Sequence, residues 1–271
     1  LNANKTFHLS HQYVDNGSYT VTVVVTDSQD ATGTLPFSVV VTNVAPTAKL
    51  GNGGPVAEGS SGTVGFADQH DPSSMDVAAG FTYSYDFDNN GTFEIAGSAS
   101  PTAIVPAAYL ADGPSSQTIR ARIADKDGGF TDYWTALTVT NVTPTAVFNN
   151  GGSVAEGSQG TVGFSDQEDP SQADSVALRY SYDFDNDGVF EIADVPSPSA
   201  IVPAAFLAEG PGDRVVRARI ADKDGGFTEY TTSIAITNAA PTASLDNGGP
   251  VNENSSGTVA FSNQHDPSAV D

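Results

Sequence analysis

The stretch YDFDNDGVFE at residues 182–191 alternates acidic and apolar side chains and then reaches a glycine. On a β-strand every second residue points to the same side, so we expect Asp183 and Asp185 to point together while Asp187 and Gly188 turn the chain. Converging carboxylates repel one another unless a cation lies between them. The same stretch occurs earlier as YDFDNNGTFE at residues 85–94. The chain therefore reads as a β scaffold that repeats one acidic turn.

A second set of repeated segments indicates the domain organisation. The segment NVAPTA at residues 43–48 returns as NVTPTA at 141–146 and as NAAPTA at 238–243, at steps of 98 and 97 residues. A step of this length corresponds to one small domain and is too long for a solenoid coil. The predicted organisation is the C-terminal part of a repeat at 1–43, complete repeats at 44–141 and 142–238, and the N-terminal part of a further repeat at 239–271. Because both ends fall inside a repeat, we expect the chain to be a piece of a longer array.

The composition narrows the range of partners. There are 33 acidic residues against 10 basic ones, which gives a formal net charge of −23. This charge repels nucleic acids and anionic membranes, and it favours divalent cations or a salty medium. The sequence has no cysteine, which excludes disulfides, thiolate metal sites and a cysteine nucleophile. No apolar run approaches the roughly 20 residues that span a bilayer, so we expect no membrane insertion of this segment.

Within a repeat the pattern is that of an all-β domain. Short alternating runs such as residues 118–123 and 136–140 lie between clusters of Gly, Asp, Asn and Pro. About seven short strands in a repeat of this length are typical of an immunoglobulin-like sandwich of two sheets. The predicted fold class is therefore all-β, with tandem immunoglobulin-like repeats of about 98 residues. In the first complete repeat the predicted strands are A 45–50, B 61–67, C 81–87, C′ 92–95, E 102–105, F 117–124 and G 131–140.

Residues 11–21, with the sequence HQYVDNGSYTV, resemble the C-terminal half of a PKD (polycystic kidney disease) domain. The family signature there is His-x-Tyr-x-x-x-Gly-x-Tyr-x-Val, followed by a strand that ends in Thr-Asp, as Thr26-Asp27 does. The segment YSYDFD at residues 83–88 is similar to the family's Tyr-x-Trp-Asp-Phe-Gly-Asp-Gly segment, with Tyr85 at the Trp position. Asp71 and Pro72 match its Ser-Asp-Pro turn. The resemblance implies an immunoglobulin-like sandwich that serves as a spacer or binding module in secreted or surface proteins.

Strand direction divides the acidic residues between the two ends of a repeat. We expect the B–C and F–G loops at one end and the A–B loop, the C–C′ turn, the E–F loop and the exit asparagine at the other. Because the linkers are short, the second end of one repeat is expected to face the first end of the next. Groups of six to eight hard oxygen atoms select Ca²⁺. The predicted calcium ligands are Glu58, Asp71, Asp86, Asp88, Asn90, Asp112, Asp125, Asp127, Asn141, Glu156, Asp169, Asp183, Asp185, Asp187, Asp222, Asp224, Asn238 and Asp266.

This arrangement resembles the calcium junctions of cadherin ectodomains. Those junctions combine a Glu from the A–B region, a linker Asn or Asp next to a Pro, and an Asp-x-Asp pair from the following domain. The resemblance implies that a cation bridges successive repeats and stiffens a linker that otherwise bends.

Two local interpretations of the acidic turn compete with the junction. Residues 183, 185, 187 and 188 fit positions 1, 3, 5 and 6 of an EF-hand-like calcium loop, with Glu191 at position 9 and Asp194 at position 12. No helical pattern flanks the loop, so a true EF-hand is not expected. Asp and Asn are also common in turns that bind no metal, because they accept backbone hydrogen bonds and tolerate left-handed geometry. These alternatives stay open at the level of the sequence.

The residue inventory argues against an enzyme. The chain has no nucleophile elbow, no His-Glu-x-x-His motif and no phosphate loop, and its acidic pairs recur in turns at domain ends. The four histidines are scattered, so zinc is not expected. The single tryptophan, Trp134, is replaced by Thr231 in the next repeat.

These observations predict a structural segment of a large extracellular protein, secreted or on the surface of a bacterium. The segment extends, spaces and stiffens an adhesin stalk, a surface coat or a filament, with neighbouring repeats of the same chain as its partners and calcium as its cofactor. The alternative is a set of accessory modules of a secreted hydrolase that bind carbohydrate or protein. Self-association into filaments, or binding to another surface protein, is a third option.

Overall fold

The computed structural model describes residues 7–268, which form two compact units that divide between Thr140 and Asn141. In the first unit, β1 and β2 form an antiparallel hairpin, and the following strands form a three-stranded sheet (β3-β5-β8) and a five-stranded sheet (β4-β10-β9-β6-β7). The elements of this unit are β1 Gly17–Thr26, β2 Thr32–Val41, β3 Thr47–Asn52, β4 Val56–Ala57, β5 Gly62–His70, α1 Ser74–Ala79, β6 Thr82–Asp86, β7 Ile95–Ser98, β8 Thr102–Val105, β9 Ser115–Ala124 and β10 Phe130–Thr140.

The second unit repeats the two sheets and ends in a hairpin of β19 and β20. Its sheets have the orders β11-β13-β16 and β12-β18-β17-β14-β15. Its elements are β11 Thr145–Asn150, β12 Val154–Ala155, β13 Gly160–Glu168, α2 Gln172–Ser175, β14 Arg179–Asp183, β15 Ile192–Val195, β16 Ser199–Val202, β17 Gly212–Ala221, β18 Phe227–Thr237, β19 Thr242–Asp246 and β20 Ala260–His265. Short 3₁₀ turns cover Ala107–Tyr109 and Ala204–Leu207.

The predicted all-β, immunoglobulin-like fold is confirmed, because each of the two sandwiches packs two mainly antiparallel sheets around one core. Alternation along β9 shows how the sequence produces this core. Ile119, Ala121 and Ile123 are fully buried, whereas Arg120 and Arg122 between them point away from the core. Tyr85 is fully buried too, and its hydroxyl donates to the backbone oxygen of Ser100 at 3.3 Å. The division into four parts at residues 43, 141 and 238 stays a prediction.

The predicted position of strand C′, residues 92–95, is wrong by three residues. Strand β7 runs from Ile95 to Ser98 and begins to pair at Tyr85 with Ile95. The reason is local, because a side chain of the loop before β7 bonds to the backbone directly after β6. The Glu94 carboxylate accepts a hydrogen bond from the backbone N–H of Phe87 at 2.6 Å, so the chain becomes free to pair only after Glu94.

Four short elements were not expected from the sequence. The helices α1 and α2 follow Ser73 and Ser171, whose side chains accept a hydrogen bond from the backbone three residues later and so cap the helix. The two-residue strands β4 and β12 pair in parallel with the ends of β10 and β18. All four are too short to leave a periodic pattern in the sequence.

Candidate metal centre

Two loops at one end of the first complete sandwich bring three buried carboxylates together. Asp71 follows β5, Asp76 lies in α1 and Asp125 follows β9. They are 5%, 0% and 7% exposed, and one oxygen of each lies within 4.8 Å of the others. The sequence placed Asp71 and Asp125 at this end, and the structure adds Asp76. Three like charges out of water are unfavourable unless donors or cations compensate them.

Short hydrogen bonds shape the loop between β5 and β6. Asp71 Oδ1 accepts from the backbone N–H of Ser73 at 2.8 Å, and Ser73 Oγ accepts from the backbone N–H of Asp76 at 3.2 Å. This pair of bonds starts α1 at Ser74, three residues after Asp71. As a result, the first turn of α1 places the Asp76 carboxylate beside that of Asp71.

Asp125 is oriented by the turn between β9 and β10 and by the linker that precedes the sandwich. Its Oδ1 accepts from the backbone N–H groups of Asp127 at 2.9 Å and Gly129 at 2.8 Å, and its Oδ2 accepts from Asn43 Nδ2 at 2.8 Å. A Cβ on Gly129 would lie 2.4 Å from both Asn43 Nδ2 and Asp125 Oδ2. Only glycine at this position therefore lets the linker asparagine reach the carboxylate.

Part of this carboxylate group is left without donors. Among residues 7–268, Asp71 Oδ2 and Asp76 Oδ2 are buried and have no hydrogen-bond partner. Buried polar atoms are satisfied in most proteins, and an unpaired buried charge costs several kcal/mol, on the order of 3–5 when a partner is missing. Both atoms are acceptors, so the group that would satisfy them is a donor or a cation.

One lysine borders the cluster. Lys126 Nζ lies 3.0 Å from Asp76 Oδ1 and 3.0 Å from both carboxylate oxygens of Asp15, and it also pairs with Asp127. Its hydrogen bond to Asp127, supported by Asp15 and Asp76, raises the pKa of Lys126. Conversely, the hydrogen bond from Lys126 lowers the pKa of Asp15. Asp15 lies just before β1, so the lysine joins the start of the first hairpin to the turn between β9 and β10.

The second unit repeats these contacts one period later. Asn141 Nδ2 donates to Asp222 Oδ2 at 2.9 Å, and Asp222 Oδ1 accepts from the N–H groups of Asp224 and Gly226. Asp169 Oδ1 accepts from the N–H of Ser171 at 2.8 Å. The matching set is completed by Lys223 Nζ, which lies 3.2 Å from the fully buried Asp174.

Two acceptor atoms of the second set are also buried and unpaired. Within the described part of the chain, Asn141 Oδ1 and Asp174 Oδ2 have no hydrogen-bond partner. The Asn141 amide therefore satisfies Asp222 with its nitrogen while its oxygen remains available as a neutral ligand.

At the opposite end of each sandwich a glutamate anchors the loops. Glu58 is 1% exposed, and its Oε2 accepts from the N–H of Gly113 at 2.7 Å. Its counterpart Glu156 is 2% exposed and accepts from the N–H groups of Gly210 at 2.9 Å and Ala239 at 2.7 Å. Glu156 thus ties the E–F loop to the residue that follows Asn238, the next linker asparagine.

The acidic turn between β14 and β15 gathers four carboxylates but also has its own donors. Oxygens of Asp183, Asp185, Asp187 and Glu191 lie within 4.8 Å of one another. The buried Asp183 accepts from the backbone N–H groups of Asp187 at 3.2 Å and Gly188 at 3.0 Å, and Arg217 Nη2 lies 3.1 Å from its Oδ2. Asp194, the twelfth position of the EF-hand-like interpretation, is not in the group of four.

The earlier copy of this turn is similar. Asp86 accepts from the N–H groups of Asn90 at 3.1 Å and Gly91 at 2.9 Å, and Arg120 Nη1 lies 3.9 Å from its Oδ2. The Asn90 amide nitrogen donates to Asp88 at 2.9 Å, so this donor is used inside the turn. The first aspartate of each turn, Asp86 or Asp183, therefore has backbone donors and a nearby arginine.

The remaining predicted residues lie as follows. The side chains of Asp127 and Asp224 pair with Lys126 and Lys223, and Asp266 Oδ1 accepts from the N–H of Ser268 as Asp71 does from Ser73. The backbone oxygen of Asp112 accepts from Ser115 Oγ. The functional candidates that the sequence reasoning missed are Asn43, Asp76, Asp174, Glu94, Lys126 and Lys223. Their signal was present, since Asn43 and Asp76 return at the step of 98 residues as Asn141 and Asp174.

The donor set of the three-carboxylate cluster has the chemistry of a hard divalent cation site. Every candidate ligand is a carboxylate or amide oxygen, which suits Ca²⁺ rather than metals that prefer nitrogen or sulfur. A crevice lined by Asp15, Asn43, Asp71 and Ser73 opens the cluster to solvent, so water can complete a coordination shell.

Comparisons with known proteins concern the fold. No protein-family model matches the chain, and no curated protein matches it significantly. Similar solved structures include fibronectin(III)-like modules of Clostridium thermocellum CbhA, at 14% identity over 70% of this chain and 95% of that chain, with a TM-score of 0.29. Extracellular domains 3–5 of Drosophila OTK match at 9% identity over 83% and 72%, with a TM-score of 0.36.

Extracellular cadherin domains 1–5 of protocadherin gamma B2 match at 14% identity over 93% of this chain and 52% of that chain, with a TM-score of 0.34. TM-scores below 0.5 support no functional argument, so the fold assignment rests on the sandwiches described above. The resemblance to PKD domains stays an expectation. In the part of the chain that is described, no helix is both long enough and apolar enough to cross a bilayer.

Proposed function

We propose that this chain is a structural segment of a large extracellular repeat protein of a bacterial surface, and that calcium bound at the ends of its repeats stiffens it. The segment acts as an extender in a stalk, coat or filament and has no catalytic role. The observation that carries the proposal is the recurrence, in both complete sandwiches, of buried acidic side chains in the same loops, with unpaired acceptor oxygens at Asp76 and Asp174.

The recurrence favours a structural role because a catalytic site needs one cleft with differentiated groups. Here the same carboxylates, glycines and lysine appear at the step of the repeat, next to the linker asparagines Asn43 and Asn141. Consecutive domains with a small contact between them normally bend relative to each other. A cation held beside the linker restricts this bending. The high negative charge of −23 supports the same proposal, because bound cations reduce self-repulsion.

Carbohydrate binding by every repeat has no comparable support. Trp134 is 57% exposed, but its Nε1 donates to Asn89 Oδ1 at 3.1 Å and the next repeat has Thr231 at the same place. An accessory module that grips a polymer needs an aromatic platform that is exposed in each repeat.

The test compares the chain in calcium and in EDTA. Thermal unfolding and rotational diffusion, from NMR relaxation, are measured at equal ionic strength, with magnesium as the matched control. We expect calcium to raise the unfolding temperature, with a stabilisation of about 2.7 kcal/mol per site at 100 times the Kd, and to slow tumbling as the repeats stop bending. If neither quantity changes, the calcium part of the proposal is wrong and the spacer is metal-independent.

A further inference from the structure

We infer that the divalent cation of each complete repeat is bound by the loop cluster of Asp71, Asp76 and Asp125, and by Asp169, Asp174 and Asp222 in the second unit, rather than by the acidic C–C′ turn. This inference rests on the proposed function and assigns its ligands. Asp76 and Asp174 become the central ligands, although no sequence pattern marks them as such.

Burial separates the two candidate sites. All three carboxylates of the loop cluster are buried, and the only cationic group beside it, among the described residues, is Lys126, which is shared with Asp15 and Asp127. The cluster therefore keeps a net negative charge out of water, which one divalent ion can offset. In the C–C′ turn, by contrast, Asp185, Asp187 and Glu191 are exposed to water, and the one buried carboxylate, Asp183, already has two backbone donors and Arg217.

The hydrogen bonds of the individual carboxylate oxygens also favour the loop cluster as the cation site. Each carboxylate of the loop cluster uses its Oδ1 for the protein, since Asp71 Oδ1 binds Ser73, Asp125 Oδ1 binds two N–H groups, and Asp76 Oδ1 faces Lys126. The Oδ2 atoms of Asp71 and Asp76 remain buried and unpaired in the described part of the chain. The protein thus uses one oxygen of Asp71, one of Asp76 and both of Asp125, while the second oxygen of Asp71 and of Asp76 is left for a ligand.

The linker asparagine makes the site depend on the chain before the sandwich. Asn43 lies between β2 and β3, and its amide nitrogen holds Asp125 Oδ2 at 2.8 Å. In the second unit the corresponding Asn141 has a buried, unpaired amide oxygen that adds a neutral ligand. Binding of the cation therefore fixes the linker as well as the loops, which is the step that turns metal binding into stiffening.

The experiment titrates the 271-residue chain with Ca²⁺ in a calorimeter. We compare the wild type with the double variant Asp76→Asn/Asp174→Asn and with the matched control Asp86→Asn/Asp183→Asn. The first variant is expected to lose at least about tenfold in affinity, because a charged ligand is replaced by a neutral one, while the control stays within about threefold of the wild type. The opposite pattern overturns the assignment but leaves the proposed function intact.

A second measurement decides the case if a variant does not fold. In the wild type, amide NMR shifts report directly on the two sites. Calcium in the loop cluster is expected to move the amides of Ser73 and Gly129, which bind Asp71 and Asp125. Calcium in the turn moves the amides of Asn90 and Gly91, which bind Asp86, and this result overturns the inference. If the wild type binds no calcium at all, the proposed function loses its metal and the inference fails with it.

Discussion

Asn43 and Asp125 are 82 residues apart in the chain, and the amide nitrogen of the first donates a hydrogen bond of 2.8 Å to the carboxylate of the second. The bond joins the linker before the first complete sandwich to the turn between β9 and β10. The same bond, at 2.9 Å, joins Asn141 to Asp222 in the second unit. A linker that is bonded to a loop of the following sandwich is held at that point, and the proposed stiffening depends on this contact.

The glycine beside this bond offers a direct test. Replacing Gly129 by Ala places a methyl group 2.4 Å from both partners and forces them apart. We expect the first unit to lose about 1–3 kcal/mol of unfolding free energy, the usual cost of overpacking, and to bind calcium more weakly. Urea unfolding with and without calcium measures both effects. The matched control is Gly51→Ala in β3, where an added Cβ meets no atom within 4 Å. Equal behaviour of the two variants would show that the contact is not tight.

Lys126 is expected to hold two consecutive repeats together without metal. Lys126→Met removes the cation from Asp15, Asp76 and Asp127, of which Asp76 is fully buried. We expect a lower free energy of unfolding in EDTA, with a smaller loss than for a fully buried pair because the lysine is partly exposed. Calcium affinity should rise, since a competing positive charge is gone.

Lys49→Met is the control for this substitution. Its ion pair with Asp68 is on the surface, where side-chain exposures of 80% and 66% leave it little effect on the free energy of unfolding. A drop in calcium affinity in Lys126→Met, rather than a rise, would mean that the lysine orders the site instead of competing with the ion. Calorimetric titration and thermal unfolding in EDTA measure the two quantities.

Acid stability of the sheet depends on an arginine-bound aspartate. The hydrogen bond from Arg122, with a further bond from Arg120, lowers the pKa of Asp132 below its ordinary value of 3.8. The group therefore contributes stability above pH 4, and this contribution is lost as the pH falls through the lowered folded pKa. We expect Asp132→Asn to be less stable than the wild type by under about 1 kcal/mol at pH 7 and equal to it at pH 2.

The measurement for this substitution is the urea midpoint between pH 7 and pH 2, with Asp68→Asn as an exposed control. Arg122 also lies 3.6 Å from the centre of the Phe130 ring, and this contact does not titrate. A gap between wild type and Asp132→Asn that persists at pH 2 would therefore assign the loss to packing rather than to charge.

The core of the first complete sandwich is sensitive at Leu137. This side chain is fully buried in β10, and its truncation to Ala leaves a cavity that costs about 2–5 kcal/mol. Ile104→Ala is the control, since Ile104 is 65% exposed on β8 and its loss should change stability by less than about 0.5 kcal/mol. Differential scanning calorimetry should show the first unit unfolding earlier in Leu137→Ala, with the transition of the second unit unchanged. A loss shared equally by both transitions would contradict independent cores.

The single tryptophan reports on the acidic turn without any substitution. Trp134 Nε1 donates to Asn89 Oδ1 at 3.1 Å, so an ion bound in that turn would alter its surroundings. We expect the fluorescence emission maximum to stay constant through a calcium titration that saturates the loop cluster. A shift that follows the binding curve would place the ion in the turn.

Much of the fold follows from the sequence alone. The step of 98 and 97 residues, the period-two alternation of β9 and the Gly, Asp and Pro clusters predict tandem two-sheet sandwiches, because these signals are local and each repeat confirms the others. The sequence also places the acidic residues in loops and turns. It missed the shift of strand C′, since that shift depends on a hydrogen bond of 2.6 Å between Glu94 and Phe87 across the loop.

Only the tertiary structure decided which carboxylates meet and which already have partners. Asp71 and Asp125 come from different loops, and they converge because β5 and β9 deliver them to the same end of the sandwich. Asp76 joins them because Ser73 starts a helix too short to be recognised in a sequence. Conversely, Asp183 in the turn with the strongest sequence pattern is paired with Arg217, which is 34 residues away. The need for a cation depends on donors that lie far along the chain, and distance in space is the information that a linear pattern does not contain.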